Sequence, residues 1–148
     1  MSTDKIRVER DGPLGWLIFN APEKHNAMSM EMSEAAAETL EDFAADDAIQ
    51  VVVLTGAGGR AFVSGADISE FDKRRSSSEL AESYSARTTN VFTVLRELEK
   101  PTIAKIQGYC MGGGVALALA CDIRISADDG KFAIPAAKLG LAYREDFT

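Results

Sequence analysis

Histidine is nearly absent from this chain: His25 stands alone among 148 residues, beside two cysteines and four prolines. With one imidazole and no cluster of His, Cys and carboxylates, no metal site is expected. Cys110 and Cys121 lie in apolar surroundings without CxxC spacing, which points to reduced core thiols rather than a disulfide. Long hydrophobic runs are missing too. The longest, Val115 to Cys121, is far shorter than the roughly 20 residues a bilayer-spanning helix needs. Met1-Ser2-Thr3-Asp4-Lys5 has no basic region leading into an apolar run, so no signal peptide is expected and the cytoplasm is the expected compartment. Positive charge is in deficit, with 16 Lys and Arg against 23 Asp and Glu and a net charge of −7. Such a field repels nucleic acid and anionic membranes, so neither is expected as a general partner, although a local basic pocket stays open.

What is present suits one globular domain over residues 1–148, at 46% hydrophobic and 26% charged composition. Lys5 to Arg10 and Leu14 to Phe19 flank Asp11-Gly12-Pro13 and read as a hairpin. Asn20 to Asn26 reads as a loop. Ser29 is placed to cap a helix whose apolar residues Met32, Ala36, Leu40 and Phe43 recur at helical spacing. The β-branched run Val51 to Leu54 fits a strand buried on both faces, ended by Thr55-Gly56-Ala57-Gly58-Gly59. A charged, Ser-rich connection at Lys73 to Ser78 is expected to be mobile, and a helix is expected from Glu79 to Leu98, stopped by Pro101. A strand at Thr102 to Ile106, a Gly-rich turn, a short apolar helix through Cys121 and a strand at Ile123 to Ser126 follow. Strands alternating with helices, with glycine at strand ends, predict an α/β fold with largely parallel pairing. No fixed-period sequence repeat is visible.

The segment from Ile106 to Leu117 passes from a strand through Gly112-Gly113-Gly114 into a helix. Glycines admit close backbone approach, and a helix start offers unpaired N–H groups at the positive end of its dipole, which suits a full or partial negative charge. Phosphate is one candidate, but neither GxxxxGK[ST] nor GxGxxG is present. A second Gly-containing turn, Ala61 to Ile68, also follows a buried strand. Either turn alone is most simply a tight connection. Two separate backbone donors are what an oxyanion hole requires.

Together these segments resemble the crotonase superfamily, the enoyl-CoA hydratase/isomerase family. The matching stretches are Asn20 to Ser29, then Val53-Leu54-Thr55-Gly56 through Ser64-Gly65-Ala66-Asp67-Ile68, then Gln107-Gly108 through Cys121-Asp122-Ile123-Arg124. The resemblance runs from about Val8 to Leu141 and implies an α/β spiral of repeated ββα units, here without the family's C-terminal helical region. It implies that the N–H groups of Ala66 and Gly113 bind a thioester oxygen, with Gly112 beside them. It further implies that Ser64, Gly65, Asp67 and Ile68 line the adenine and pantetheine path, with Lys24 near the CoA phosphates. CoA then belongs to the substrate, and no cofactor is expected. Two alternatives stay open: Lys24 as a solvated loop lysine, and Asp67 as a turn stabiliser. A thioester carbonyl gains negative charge as an enolate forms, and two preorganised donors favour that state; losing one typically costs about 10²–10³ in rate.

The sequence departs from the family at the positions implied for two water-activating glutamates, which are Ala116 and Ala136. Alanine transfers no proton. Beyond Gly140, where other members place an acid, stand Tyr143 and Arg144; Tyr143 is a candidate acid, and Glu145 and Asp146 are carboxylates within reach of the same region. His25 is expected at the surface or beside the ligand rather than as a general base. Asp122 is expected to be buried and bonded to nearby backbone. Family members run about another hundred residues by resemblance, and uncovered apolar faces favour association, so a homo-oligomer is expected, a trimer or hexamer by resemblance. Three functions follow. The first is an acyl-CoA enzyme catalysing isomerisation, hydrolysis, decarboxylation or C–C cleavage, and the second a non-catalytic acyl-CoA-binding or assembly protein. The third is a nucleotide-binding α/β domain.

Overall fold

The computed structural model describes residues 3–69 and 90–139. The hairpin forms as expected: β1 (Ile6–Asp11) pairs antiparallel with β2 (Leu14–Phe19). Ser29 caps α1 (Met30–Ala45), its hydroxyl accepting from the Met32 N–H at 3.2 Å, and Met32, Ala36, Leu40 and Phe43 lie on the buried side. The last turn of α1 holds no basic residue; Lys100 arrives from elsewhere in the chain and donates to the Phe43 and Asp46 carbonyls, both at 2.6 Å. A cation there satisfies orphan carbonyls and complements the helix dipole.

β3 (Val51–Gly56) continues through Thr55 and Gly56, two residues past the apolar run, because it pairs parallel with β2 along that whole length. Residues 90–97 form α2, with Val91, Phe92 and Leu95 buried; the expected start of that helix and the Lys73 to Ser78 connection lie outside the described residues. β5 (Thr102–Ile106) and β7 (Ile123–Ser126) extend the first sheet in the order β1-β2-β3-β5-β7, parallel from β2 onward.

A second sheet was not legible in the sequence. Its strands β4 (Ala61–Val63), β6 (Tyr109–Met111) and β8 (Lys131–Ala133) have three residues each and pair parallel in that order. The segments read as Gly-containing turns thus carry strands of their own. Three residues are too few to display a period of two, and β4 is buried throughout, so no alternation marks it. α3 (Gly113–Ala120) follows β6, and Arg124 closes its C-terminus by donating to the Cys121 and Ala118 carbonyls at 2.6 and 3.2 Å.

Chain order therefore repeats a unit. Strand, strand and helix recur as β1-β2-α1, β3-β4-α2 and β5-β6-α3, with β7-β8 beginning a fourth. From β3 onward each unit gives its first strand to the large sheet and its second to the small one. Parallel register sets the units one step apart, so the C-terminal ends of β4 and β6 lie side by side. No described helix is long and apolar enough to cross a membrane.

Candidate functional site

Two peptide planes define the site. In a trans peptide the carbonyl and the next N–H point in opposite directions. Met28 N–H donates to the Gly65 carbonyl at 2.7 Å, so the Ala66 N–H of that peptide points away from Met28. Asp67 N–H donates back to the Met28 carbonyl at 2.9 Å, closing an isolated parallel bridge that straddles Ala66. On the neighbouring loop the Gly112 carbonyl accepts from Val115 and Ala116 at 3.0 and 3.2 Å, deep in the first turn of α3. The Gly113 N–H therefore points out of the helix start. Among the described residues neither the Ala66 nor the Gly113 N–H has an acceptor.

Glycines bring these planes together. Gly112 has φ 51° and ψ −114°, a backbone conformation that glycine adopts and L side chains rarely do, and a Cβ there would lie in ordinary contact, 3.9 Å from the Gly65 Cα of the neighbouring loop. A Cβ on Gly114 would stand 2.1 Å from the Val63 carbonyl oxygen, so α3 can rest on β4 only with glycine there. At Gly113 a Cβ would meet nothing within 4 Å.

The loop from Asn20 to Met28 holds the Ala66 turn in place. Asn26 is fully buried at φ 54°; its Oδ1 accepts from the Ala21 N–H at 2.9 Å, and its Nδ2 donates to the Ala57 and Ala61 carbonyls at 3.0 and 2.9 Å. One side chain thus joins three backbone segments. Lys24 Nζ donates to Asp67 Oδ2 at 2.8 Å, with the lysine 54% exposed and the aspartate 11%. Asp67 Oδ1 accepts from the Ser69 N–H at 3.1 Å and hydroxyl at 2.6 Å. The Lys24 ammonium, then the Ser69 hydroxyl, hold the Asp67 carboxyl below its ordinary pKa. Ser64 Oγ donates to the Lys24 carbonyl at 3.4 Å, and Ile68 is exposed.

The other expected residues fall into place around this core. Ala116 is buried in α3 and Ala136 half-buried in the single turn Ala136–Leu139. His25 is half-buried at φ 52°, its ring edge-on to Tyr109 at 5.6 Å. Both cysteines are buried and free, and burial pushes their thiols up to about 11 for Cys110 and about 12 for Cys121. Asp122 corrects its expectation in part: it is exposed, not buried, because β7 is an edge strand. Its Oδ2 accepts from the Thr102 N–H and hydroxyl, both at 2.8 Å, which hold its pKa down, the hydroxyl foremost. Tyr143, Arg144, Glu145 and Asp146 lie outside the described residues. Among those described, no group of three His, Cys, Asp or Glu is placed to hold a metal ion.

Two unpartnered backbone donors on neighbouring loops are the kind of groups that can hold an oxygen that gains negative charge. A family model described as Enoyl-CoA hydratase/isomerase matches residues 11–145. The chain belongs to that family. It is similar to the crotonyl-CoA hydratase of Syntrophomonas wolfei, 34% identical over 95% of this chain and 54% of the relative. It is also similar to the hydroxycinnamoyl-CoA hydratase-lyase of Pseudomonas fluorescens, 34% identical over 92% of this chain and 50% of the relative. The crystal structure of an enoyl-CoA hydratase/carnithine racemase from Magnetospirillum magneticum superposes with a TM-score of 0.94 at 40% identity, covering 99% of this chain and 55% of that one. The crotonase fold expected from the motifs is therefore present, and the chain spans about half the length of the curated relatives it matches.

Asn26 and Met28 were missed as contributors although both stand in a quoted motif. Met28 acts only through backbone atoms, which its side chain cannot advertise. Asn26 had a usable signal, since asparagine tolerates positive φ and bonds to nearby backbone.

Proposed function

We propose that this enoyl-CoA hydratase/isomerase family protein binds an acyl-CoA thioester with its carbonyl oxygen between the Ala66 and Gly113 N–H groups, stabilising an enolate or tetrahedral oxyanion. The observation that carries this is the pair of oriented N–H groups left without acceptors on adjacent loops. Gly112 turns the second donor outward. Ser64, Gly65, Asp67 and Ile68 border the path of the pantetheine and adenine, and Lys24, half exposed beyond its bond to Asp67, retains donors for a CoA phosphate. CoA enters as part of the substrate, and the working form is a cytoplasmic homo-oligomer.

Hydration by two glutamates is not the proposed reaction, because alanines at 116 and 136 transfer no proton. Isomerisation, thioester hydrolysis, decarboxylation and C–C cleavage all pass through a stabilised oxyanion and remain within reach of the same pair. Tyr143 is the proposed acid where one is needed. The same alanines favour a second function, acyl-CoA binding or assembly without catalysis.

Turnover of a panel of acyl-CoA thioesters separates the two, using Gly113→Pro as the control. Proline suits the first position of a helix while deleting the N–H. Products that the wild type forms and Gly113→Pro does not support the enzyme. Tight thioester binding without any product supports the binding protein, and no thioester binding at all refutes both.

A further inference from the structure

The Ala66 donor is secured differently from its partner. Gly113 sits at the start of an eight-residue helix whose own hydrogen bonds fix the peptide plane. Ala66 depends on a single isolated bridge to Met28, with no ladder continuing it on either side. A two-bond bridge leaves the plane free to tilt unless something else ties the loop down. The ion pair that crosses this junction joins Lys24 to Asp67, the residue after the donor.

Given the thioester site proposed above, we infer that Asp67 is a positioning residue: its carboxylate, bonded to Lys24 on one oxygen and to Ser69 on the other, locks the loop so that the Ala66 N–H keeps its aim. The geometry is specific. Oδ2 takes the Lys24 ammonium at 2.8 Å and Oδ1 takes two donors of Ser69, while the Asp67 N–H bonds Met28 at 2.9 Å. The residue is thus tied on three sides, to Lys24, to Met28 and to the chain that follows. Rotation of the peptide carrying the Ala66 N–H would have to break one of these ties. The charge-assisted bond joins a half-exposed lysine to a carboxylate that is 11% exposed, and the Ser69 bonds and the Met28 bridge act with it.

The positioning effect reaches the substrate through the Ala66 N–H and is read as carbonyl polarisation, separately from any contact that Asp67 makes along the pantetheine path. The probe is a cinnamoyl-CoA with an electron-donating ring substituent, whose absorption moves to longer wavelength when its thioester carbonyl is polarised. Wild type, Asp67→Asn, Asp67→Ala and Lys24→Met are compared for the size of the shift and for the dissociation constant. Asp67→Ala is expected to lose about half the shift or more at saturating ligand, whatever its dissociation constant, because one of two donors is misaligned. Asp67→Asn, which keeps the Ser69 bonds, is expected to fall between. Lys24→Met is expected to lower both shift and affinity.

A full shift in Asp67→Asn and Asp67→Ala overturns the positioning role and leaves the thioester site standing. Binding without any shift in the wild type overturns the site itself and the positioning role with it. If Asp67→Ala does not fold, Asp67→Asn, matched in volume, decides alone: an undiminished shift refutes, a diminished one supports.

Discussion

The row Trp16, Val53, Ile103 and Ile123 crosses the large sheet in unbroken register, yet Val53 is 5% exposed and Ile123 50%. The next row repeats the contrast, from Thr55 at 8% to Ile125 at 57%. The small sheet follows suit, with β4 buried and Phe132 of β8 exposed. One end of the molecule is closed around the Ala66 loop, and the other presents isoleucines and a phenylalanine. The closed end holds the loop that carries the Ala66 N–H, whereas β8 of the open end ties the second loop through the Ala133 carbonyl, which accepts from the Gly112 N–H at 2.8 Å.

Breaking the closed end should have the largest effect. Asn26→Ala strands the Ala21 N–H and the Ala57 and Ala61 carbonyls and puts alanine at φ 54°. A loss of about 3–5 kcal/mol in stability is expected, measured as a lowered denaturation midpoint. Gly113→Pro should spare the fold and cost about 10²–10³ in any thioester turnover, read from kcat/KM.

The open end should behave in the opposite way. Ile123→Lys with Ile125→Lys is expected to change stability by less than about 1 kcal/mol while abolishing self-association in sedimentation velocity. Unchanged association would place the oligomer contact elsewhere, and a monomeric wild type would remove it altogether.

The smallest effect expected is on the acid limb of stability. Asp67 is held below its ordinary value of 3.8 in the folded state, so its contribution is fully present above that pH and disappears as pH falls through the lowered folded value. Asp67→Asn should flatten that part of a stability-against-pH curve, lowering stability slightly near neutrality and leaving it unchanged at pH below the folded value.

Much of this was legible from residue patterns. Hairpin, cap, buried strand and short apolar helix all follow from alternation, helical spacing or turn residues, and three motifs in order carried the family. The small sheet was hidden because its strands are only three residues long. The Lys24 to Asp67 bond was hidden because it joins residues 43 positions apart; the loop lysine and the turn aspartate each had an ordinary explanation alone. What makes Ala66 a donor is the backbone of Met28, and no side chain signals it.

The most direct test is the infrared carbonyl stretch of a 13C-labelled acyl-CoA thioester bound to the wild-type protein and to Gly113→Pro. The expected result is a stretch moved to lower frequency than in water for the wild type and largely restored in Gly113→Pro. A bound thioester whose stretch is the same in both proteins would contradict the assignment of Gly113 and Ala66 as the groups that hold its oxygen.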